Sequence, residues 1–139
     1  MITQKEYQTR RRELANRLPV DCIAVIPARS EALRNGDSHY RFRQNSDFYY
    51  LTGFNEPEAL LLIIAGKKGE SILFNRPRNP MEEQWTGVRL GQEGACKTLG
   101  VEAAYCIDDL DVRLPEFLVN KQAIYYAIGQ YPTWAERIL

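Results

Sequence analysis

Two short apolar runs joined by a polar turn constrain the fold of this chain more than any other feature. The first run, ALLLIIA, covers residues 59–65, and the second, ILF, covers residues 72–74. Runs this short and this apolar are typical of buried strands, and the intervening GKKG at residues 66–69 is typical of a tight turn. The sequence therefore predicts an antiparallel β-hairpin.

Further strands and helices alternate along the chain. Thr3 and Glu6 have the spacing of a capping box, and the apolar periodicity that follows predicts a helix over residues 4–18. The run CIAVI at residues 22–26 is almost wholly apolar, as expected for a strand buried inside a sheet. The remaining predicted elements are a helix at 92–99 closed by Gly100, a strand at 101–106, a helix from Asp108 to Leu118, a strand at 124–128 and the start of a helix at 133–139. This alternation predicts a single α/β domain.

Three segments carry turn or aromatic signals instead of a clear period. Residues 28–38 contain the turn sequence Asn35-Gly36-Asp37 and predict a loop. Residues 39–54 are rich in aromatic rings that we expect to be mostly buried, with a short helix capped by Asn45 or Ser46 and a pair between Arg43 and Asp47. Residues 75–91, with two prolines and two glycines around a tryptophan, predict an irregular, partly exposed segment.

Charge and cysteine content exclude several classes of protein. The 139 residues include 18 basic and 18 acidic side chains, so no net field favours nucleic acid or an anionic membrane. The Arg10 to Arg12 run is interpreted as a solvated helix surface, with phosphate binding as the alternative. Three widely spaced cysteines predict neither a disulfide framework nor a zinc knuckle. A charged N-terminus without an apolar signal segment then favours a cytoplasmic protein.

The chain has few residues suited to catalysis. His39 is its one histidine and is interpreted as a packing or hydrogen-bonding residue. The acidic residues Asp108, Asp109 and Asp111 suit the first turn of a helix better than a cation site. GxSxG, Walker A and GxGxxG motifs are all absent from the sequence. The residues therefore predict an α/β domain without an active site of its own.

One family resemblance covers nearly the whole chain. Residues 40–59, YRFRQNSDFYYLTGFNEPEA, resemble the signature of the N-terminal domain of bacterial Xaa-Pro aminopeptidases, also called aminopeptidase P, of the creatinase and prolidase superfamily. The resemblance continues through SILFN at 71–75, WTGVRLG at 85–91 and LGV at 99–101. It implies an α/β fold with a mixed β-sheet of about six strands flanked by helices, which contains a ribonuclease-H-like motif.

The resemblance also implies a division of labour between domains. In the whole enzyme, a pita-bread catalytic domain holds two manganese ions and removes the N-terminal residue ahead of proline. The proline amide lacks an N–H, so a dedicated pocket is needed. We expect that catalytic domain beyond residue 139, and residues 1–139 to be the non-catalytic N-terminal domain, ending slightly short of its full length. Its expected partners are its own catalytic domain and neighbouring subunits in a dimer or tetramer, where it narrows the entrance for proline-containing peptides.

Two substrate-binding positions are implied by the resemblance. Trp85 stands where the family places an aromatic residue near the proline pocket, and an indole face is a good apolar wall for a pyrrolidine ring. Ordinary core packing is its alternative role. Asp37 matches a position that approaches a neighbouring subunit's active site, with a turn-forming aspartate as the alternative. No catalytic residue and no metal ligand is expected in this chain.

Two other functions are left open. A free-standing binding module could keep this fold without the enzyme, and the reading frame beyond Leu139 separates that hypothesis from the first. A ribonuclease-H-like nuclease is a weaker hypothesis, because Asp108, Asp109 and Asp111 lie at one helix start and not on separate strands.

Overall fold

The computed structural model describes residues 2–30, 44–66 and 69–126 of the 139. Five strands lie in this part of the chain: β1 (Cys22–Pro27), β2 (Leu60–Ile64), β3 (Glu70–Asn75), β4 (Ala103–Cys106) and β5 (Ala123–Tyr126). The helices are α1 (Gln4–Arg17), α2 (Ser46–Thr52), α3 (Pro80–Thr86), α4 (Gly91–Leu99) and α5 (Leu110–Leu118), the last preceded by a 3-10 turn at Ile107–Asp109. Among the described residues no helix is long and apolar enough to cross a membrane.

The strands form one mixed sheet in the order β4-β3-β2-β1-β5. The central strand β2 is antiparallel to both of its neighbours, β1 and β3. The edge strands run parallel to the strands beside them, β5 to β1 and β4 to β3. The predicted hairpin is confirmed, with Leu61 opposite Leu73 and Ile64 opposite Glu70. The described residues hold five strands where the family resemblance implied about six, and each of the five corresponds to a strand predicted from the residues.

The sheet has an apolar core on each face. Strand β1 is buried along its whole length, which explains why its sequence shows no polar alternation. Ala24 and Ile26 contribute to the core beneath α1, α2 and α4, while Ile23 and Val25 contribute to the core beneath α5. Successive side chains of a strand point to opposite faces, so this one strand supplies both cores.

The interpretation of the arginine run as a solvated surface is wrong for Arg11. Helix α1 begins as predicted, with the Thr3 hydroxyl accepting from the Glu6 N–H. The Arg11 side chain is buried, and it donates to the carbonyl oxygens of Leu51 at 2.8 Å and Leu99 at 2.6 Å. Those carbonyls belong to the last turns of α2 and α4, where no further helical N–H is available. Burial is the main cause that lowers the pKa of Arg11 to about 10.

Two other expectations need correction. Residues 75–91 contain the helix α3, whose N-cap Asn79 accepts from the Glu82 N–H and is followed by Pro80 at the first turn. Of the described aromatic rings in residues 39–54, Phe48 and Phe54 are buried, but Tyr49 and Tyr50 are exposed. The predicted cap of α2 is confirmed at Asn45.

Several predictions fall on residues outside the described ranges. They concern the turn at Asn35-Gly36-Asp37, the single histidine, Arg43, the last two residues of the predicted strand 124–128 and the helix predicted over 133–139.

Candidate interface around Trp85

Helix α3 presents large apolar side chains to solvent. Met81 and Trp85 lie one turn apart on its outer face, and Val88 follows two residues after its end. Met81 is 78% exposed, Trp85 87% and Val88 80%. We call Met81, Trp85 and Val88 the α3 patch. Three large apolar side chains that are exposed within eight residues of the chain mark a candidate interaction site.

Of the two predicted substrate-binding residues, the structure describes Trp85 and not Asp37. Trp85 lies on the surface, so the alternative of ordinary core packing is wrong for this side chain within the described part of the chain. Asp37 lies outside the described residues, so the structure does not bring the two positions together. Both roles in substrate binding stay predictions.

The acidic cluster lies at the start of α5, as predicted. Asp108 and Asp109 belong to the 3-10 turn, and Asp111 lies in the first turn of α5. Asp109 at the N-cap makes no side-chain hydrogen bond to the helix, so the expected capping contact is not made there. In the described ranges no group of three or more His, Cys, Asp or Glu residues is arranged to hold a metal ion.

A buried carboxylate anchors α3 from the side opposite the patch. Glu83 is only 7% exposed, and its Oε1 accepts from the Arg89 backbone N–H at 2.8 Å and from Arg78 Nε at 3.0 Å. Its Oε2 accepts from the Asn79 backbone N–H at 2.6 Å and from Arg78 Nε at 3.1 Å. The Arg89 hydrogen bond is the main cause, with those from Arg78 and Asn79, that lowers the pKa of Glu83 to about 2. The carboxylate is therefore charged at neutral pH.

The segment that follows α3 is fixed by Arg89. This side chain is 10% exposed; its Nη2 bonds to Glu82 Oε2 at 2.6 Å, and its Nη1 donates to the Pro77 carbonyl oxygen at 3.2 Å. Pro77 precedes the helix and Arg89 follows it. The guanidinium therefore joins the two ends of the loop that carries α3, residues 77–89. Arg89 and Val88 also line a shallow groove of about 380 Å³, whose other walls are residues 53–56, the start of α1 and the end of α4.

The base of the loop is attached to the end of β3. Asn75 is fully buried at the last position of β3, and its Nδ2 donates to the Gly91 carbonyl oxygen at 3.1 Å. Gln92 Nε2 returns a hydrogen bond to Asn75 Oδ1 at 2.6 Å. On the other side, Glu56 Oε2 accepts from the Leu90 N–H at 2.8 Å. These hydrogen bonds attach the C-terminal end of the loop that carries the α3 patch to the end of β3 and to Glu56.

Sequence reasoning missed the anchoring residues Glu83, Arg89 and Glu56. A local signal for the helix was present, because Asn79-Pro80-Met81-Glu82 combines an N-cap residue, a proline at the first helical position and a glutamate three residues after the cap. The partners of Glu83 and Glu56 are set by the folded loop, so no spacing rule identifies them.

Comparisons with known proteins identify the family to which this chain is related. Residues 7–125 match the family described as aminopeptidase P, N-terminal domain. The chain is 42% identical over 132 residues to Xaa-Pro aminopeptidase of Escherichia coli K12, which covers 94% of this chain and 30% of that protein. It is 37% identical to Xaa-Pro aminopeptidase of Haemophilus influenzae, over 99% of this chain and 32% of that protein. The chain thus spans about a third of these relatives.

Solved structures show the same fold. E. coli aminopeptidase P with the inhibitor Pro-Leu superimposes with a TM-score of 0.91 at 40% identity, over 99% of this chain and 32% of that one. Proline aminopeptidase P II from Yersinia pestis gives the same TM-score at 44% identity and equal coverage. The mixed sheet with its flanking helices is therefore a fold that these structures contain in about a third of their length. By its sequence match and its fold, this chain belongs to the family of aminopeptidase P N-terminal domains.

Proposed function

We propose that this chain is the non-catalytic N-terminal domain of a cytoplasmic, metal-dependent Xaa-Pro aminopeptidase. The observation that carries the proposal is the match of residues 7–125 to the N-terminal domain of aminopeptidase P, together with relatives named Xaa-Pro aminopeptidase that are about three times as long. In this proposal the whole protein removes the N-terminal residue of a peptide whose second residue is proline.

Hydrolysis is assigned to a catalytic domain outside this chain. Two manganese ions would there supply an activated water for attack on the peptide carbonyl. The described residues of this chain offer no matching cage of carboxylates and imidazole, so they do not fit such a metal pair. No step of the reaction is therefore assigned to them.

The proposed contribution of this domain is to shape the approach to the active site. The α3 patch offers an exposed indole and two aliphatic side chains on a helix held by hydrogen bonds. Such a rigid apolar surface suits contact with a pyrrolidine ring or with an apolar surface of a neighbouring subunit. Together with Asp37, it would narrow the entrance and support a dimer or tetramer.

The same patch also favours a second candidate function. An exposed tryptophan between two other apolar side chains resembles the anchor of a protein interface, and a free-standing binding module would need nothing more. The two candidates differ in whether a catalytic domain is translated with this chain.

One experiment separates them. The complete reading frame that contains this chain would be expressed, and the product assayed on matched peptides with proline or alanine at the second position, with manganese and after chelation. The enzyme proposal predicts hydrolysis of the proline peptide that needs metal and is much slower for the alanine peptide. A product that ends near Leu139 and hydrolyses neither peptide would favour the binding module.

A further inference from the structure

Helix α3 is attached to the domain through a carboxylate instead of an apolar face. All seven residues of α3 are described, and Glu83 alone among them is buried. Surface helices in globular proteins are usually held by an apolar stripe packed on the core. In α3 the large apolar side chains of Met81 and Trp85 face outward, so apolar packing contributes little to its orientation.

The hydrogen bonds of Glu83 join the two ends of the loop that carries α3. Arg78 and Asn79 lie immediately before the helix, while Arg89 follows its end. Each carboxylate oxygen accepts two hydrogen bonds, between 2.6 and 3.1 Å, from these three residues. One side chain therefore closes residues 78–89 into a fixed loop.

Glu83 and Trp85 are coupled by helix geometry. Residues two positions apart are rotated by about 200° around an α-helix, so they face opposite sides. When the inward carboxylate is held, the outward direction of the indole is set as well. We propose that Glu83 is a positioning residue that fixes α3 so that Trp85 faces the proline-containing peptide in the whole enzyme. This inference rests on the proposed function.

The site requires a carboxylate at this position. All groups that converge on it are donors: two backbone N–H groups and the Nε of Arg78. A glutamine would place its own N–H group against one of these donors, and an aspartate would be one methylene too short to reach all three. The low pKa of Glu83, about 2, is consistent with a carboxylate that stays charged over the working range of an enzyme.

The first test uses the steady-state kinetics of the whole enzyme. Glu83→Gln is expected to raise KM for an Xaa-Pro peptide by about fivefold to tenfold with kcat within about twofold, and Trp85→Ala is expected to do the same, because an apolar wall binds ground state and transition state alike. The double variant should be no worse than Trp85→Ala alone, since Glu83 acts through Trp85. Glu83→Asp should fall between wild type and Glu83→Gln.

Glu93→Gln is the matched control. Glu93 is an exposed glutamate of α4 that pairs only with Lys97, one turn along the same helix, among the ion pairs of the described residues. The KM of the Glu93→Gln enzyme should equal that of the wild type. An unchanged KM in Glu83→Gln would overturn the inference, and so would a further increase in KM when Glu83→Gln is added to Trp85→Ala.

Hydrogen exchange of the same whole proteins provides a second readout. Peptides that cover residues 79–89 should exchange faster in Glu83→Gln than in wild type or Glu93→Gln, because the amide group leaves an acceptor oxygen for only one of the Asn79 and Arg89 N–H groups. Unchanged exchange would overturn the anchoring role. If Glu83→Gln does not fold, Arg78→Met provides a milder test, since Arg78 is largely exposed and its loss leaves the two backbone donors in place. It should raise KM less, and an unchanged KM would count against the inference.

The two proposals fail in different ways. A wild-type protein that does not hydrolyse Xaa-Pro peptides would refute the proposed function, whatever the exchange rates show. A wild-type enzyme that is active but insensitive to Glu83→Gln would refute only the positioning role.

Discussion

Arg11 of α1 reaches the end of α4, where its Nη2 donates a 2.6 Å hydrogen bond to the carbonyl oxygen of Leu99. Its Nη1 makes a 2.8 Å hydrogen bond to Leu51 near the end of α2, so one buried guanidinium connects three helices on the same face of the sheet. Both acceptors are terminal helical carbonyls that would otherwise lack a partner.

Replacing Arg11 should therefore destabilise the domain. Arg11→Met keeps much of the side chain's apolar length but leaves two buried carbonyls without donors, and we expect a loss of about 2 kcal/mol in the free energy of unfolding. Arg12→Met, which changes the exposed neighbour, should alter it by less than about 0.5 kcal/mol. Urea unfolding of the 139-residue chain, followed by circular dichroism, checks both values. Equal effects of the two substitutions would show that Arg11 is not a structural connector.

Trp85 should contribute little to stability and more to binding. Because its side chain is 87% exposed, Trp85→Ala should change the free energy of unfolding of this chain by less than about 0.5 kcal/mol. Phe74→Ala, in the fully buried part of β3, is the matched control and should cost about 3–5 kcal/mol. In the whole enzyme Trp85→Ala should mainly raise KM for proline-containing peptides, and unchanged kinetics would remove Trp85 from the substrate site.

The stability contributed by Glu83 should depend on pH in a defined direction. Folding lowers the pKa of this carboxyl from 4.5 to about 2, chiefly through the hydrogen bond from the Arg89 N–H, so the folded state favours the charged form. This contribution is present above about pH 4.5 and is lost as the pH falls towards about 2. The difference in unfolding free energy between wild type and Glu83→Gln should thus be constant from pH 7 to pH 5 and shrink below that range. A difference that does not vary with pH would contradict the assignment.

The isolated 139-residue chain should not hydrolyse Xaa-Pro peptides, with or without manganese. We expect this because the proposed metal ligands and catalytic residues lie in a separate domain. The measurement is product release from a proline peptide by a preparation free of full-length enzyme, with that enzyme as the positive control. Turnover above the blank would refute the division of labour proposed here.

The elements of the sheet follow from local sequence, because their signals depend on nearby residues. The run at 59–65, the GKKG turn and the run at 72–74 predict the hairpin between β2 and β3 correctly, and the wholly apolar run at 22–26 predicts the buried strand β1. A strand buried on both faces needs apolar residues at every position, and that requirement is visible without any partner.

The environment of individual polar residues was decided by tertiary structure. Nothing near Arg11 in sequence distinguishes it from Arg10 and Arg12, because its acceptors are 40 and 88 residues away. The same holds for Glu56, which meets Leu90 across 34 residues.

Local sequence and tertiary structure each determine part of the arrangement around the α3 patch. The sequence by itself determined that Trp85 lies in a segment rich in glycine, proline and charge, and therefore that exposure was expected. Only the folded loop decided that Glu83 faces inward and Trp85 outward, because the Arg78, Asn79 and Arg89 donors come together around the carboxylate only when both ends of the loop are fixed to the end of β3. Hydrogen-bond partners that are brought together by chain closure cannot be identified from local spacing, whereas a helix cap or an apolar strand can.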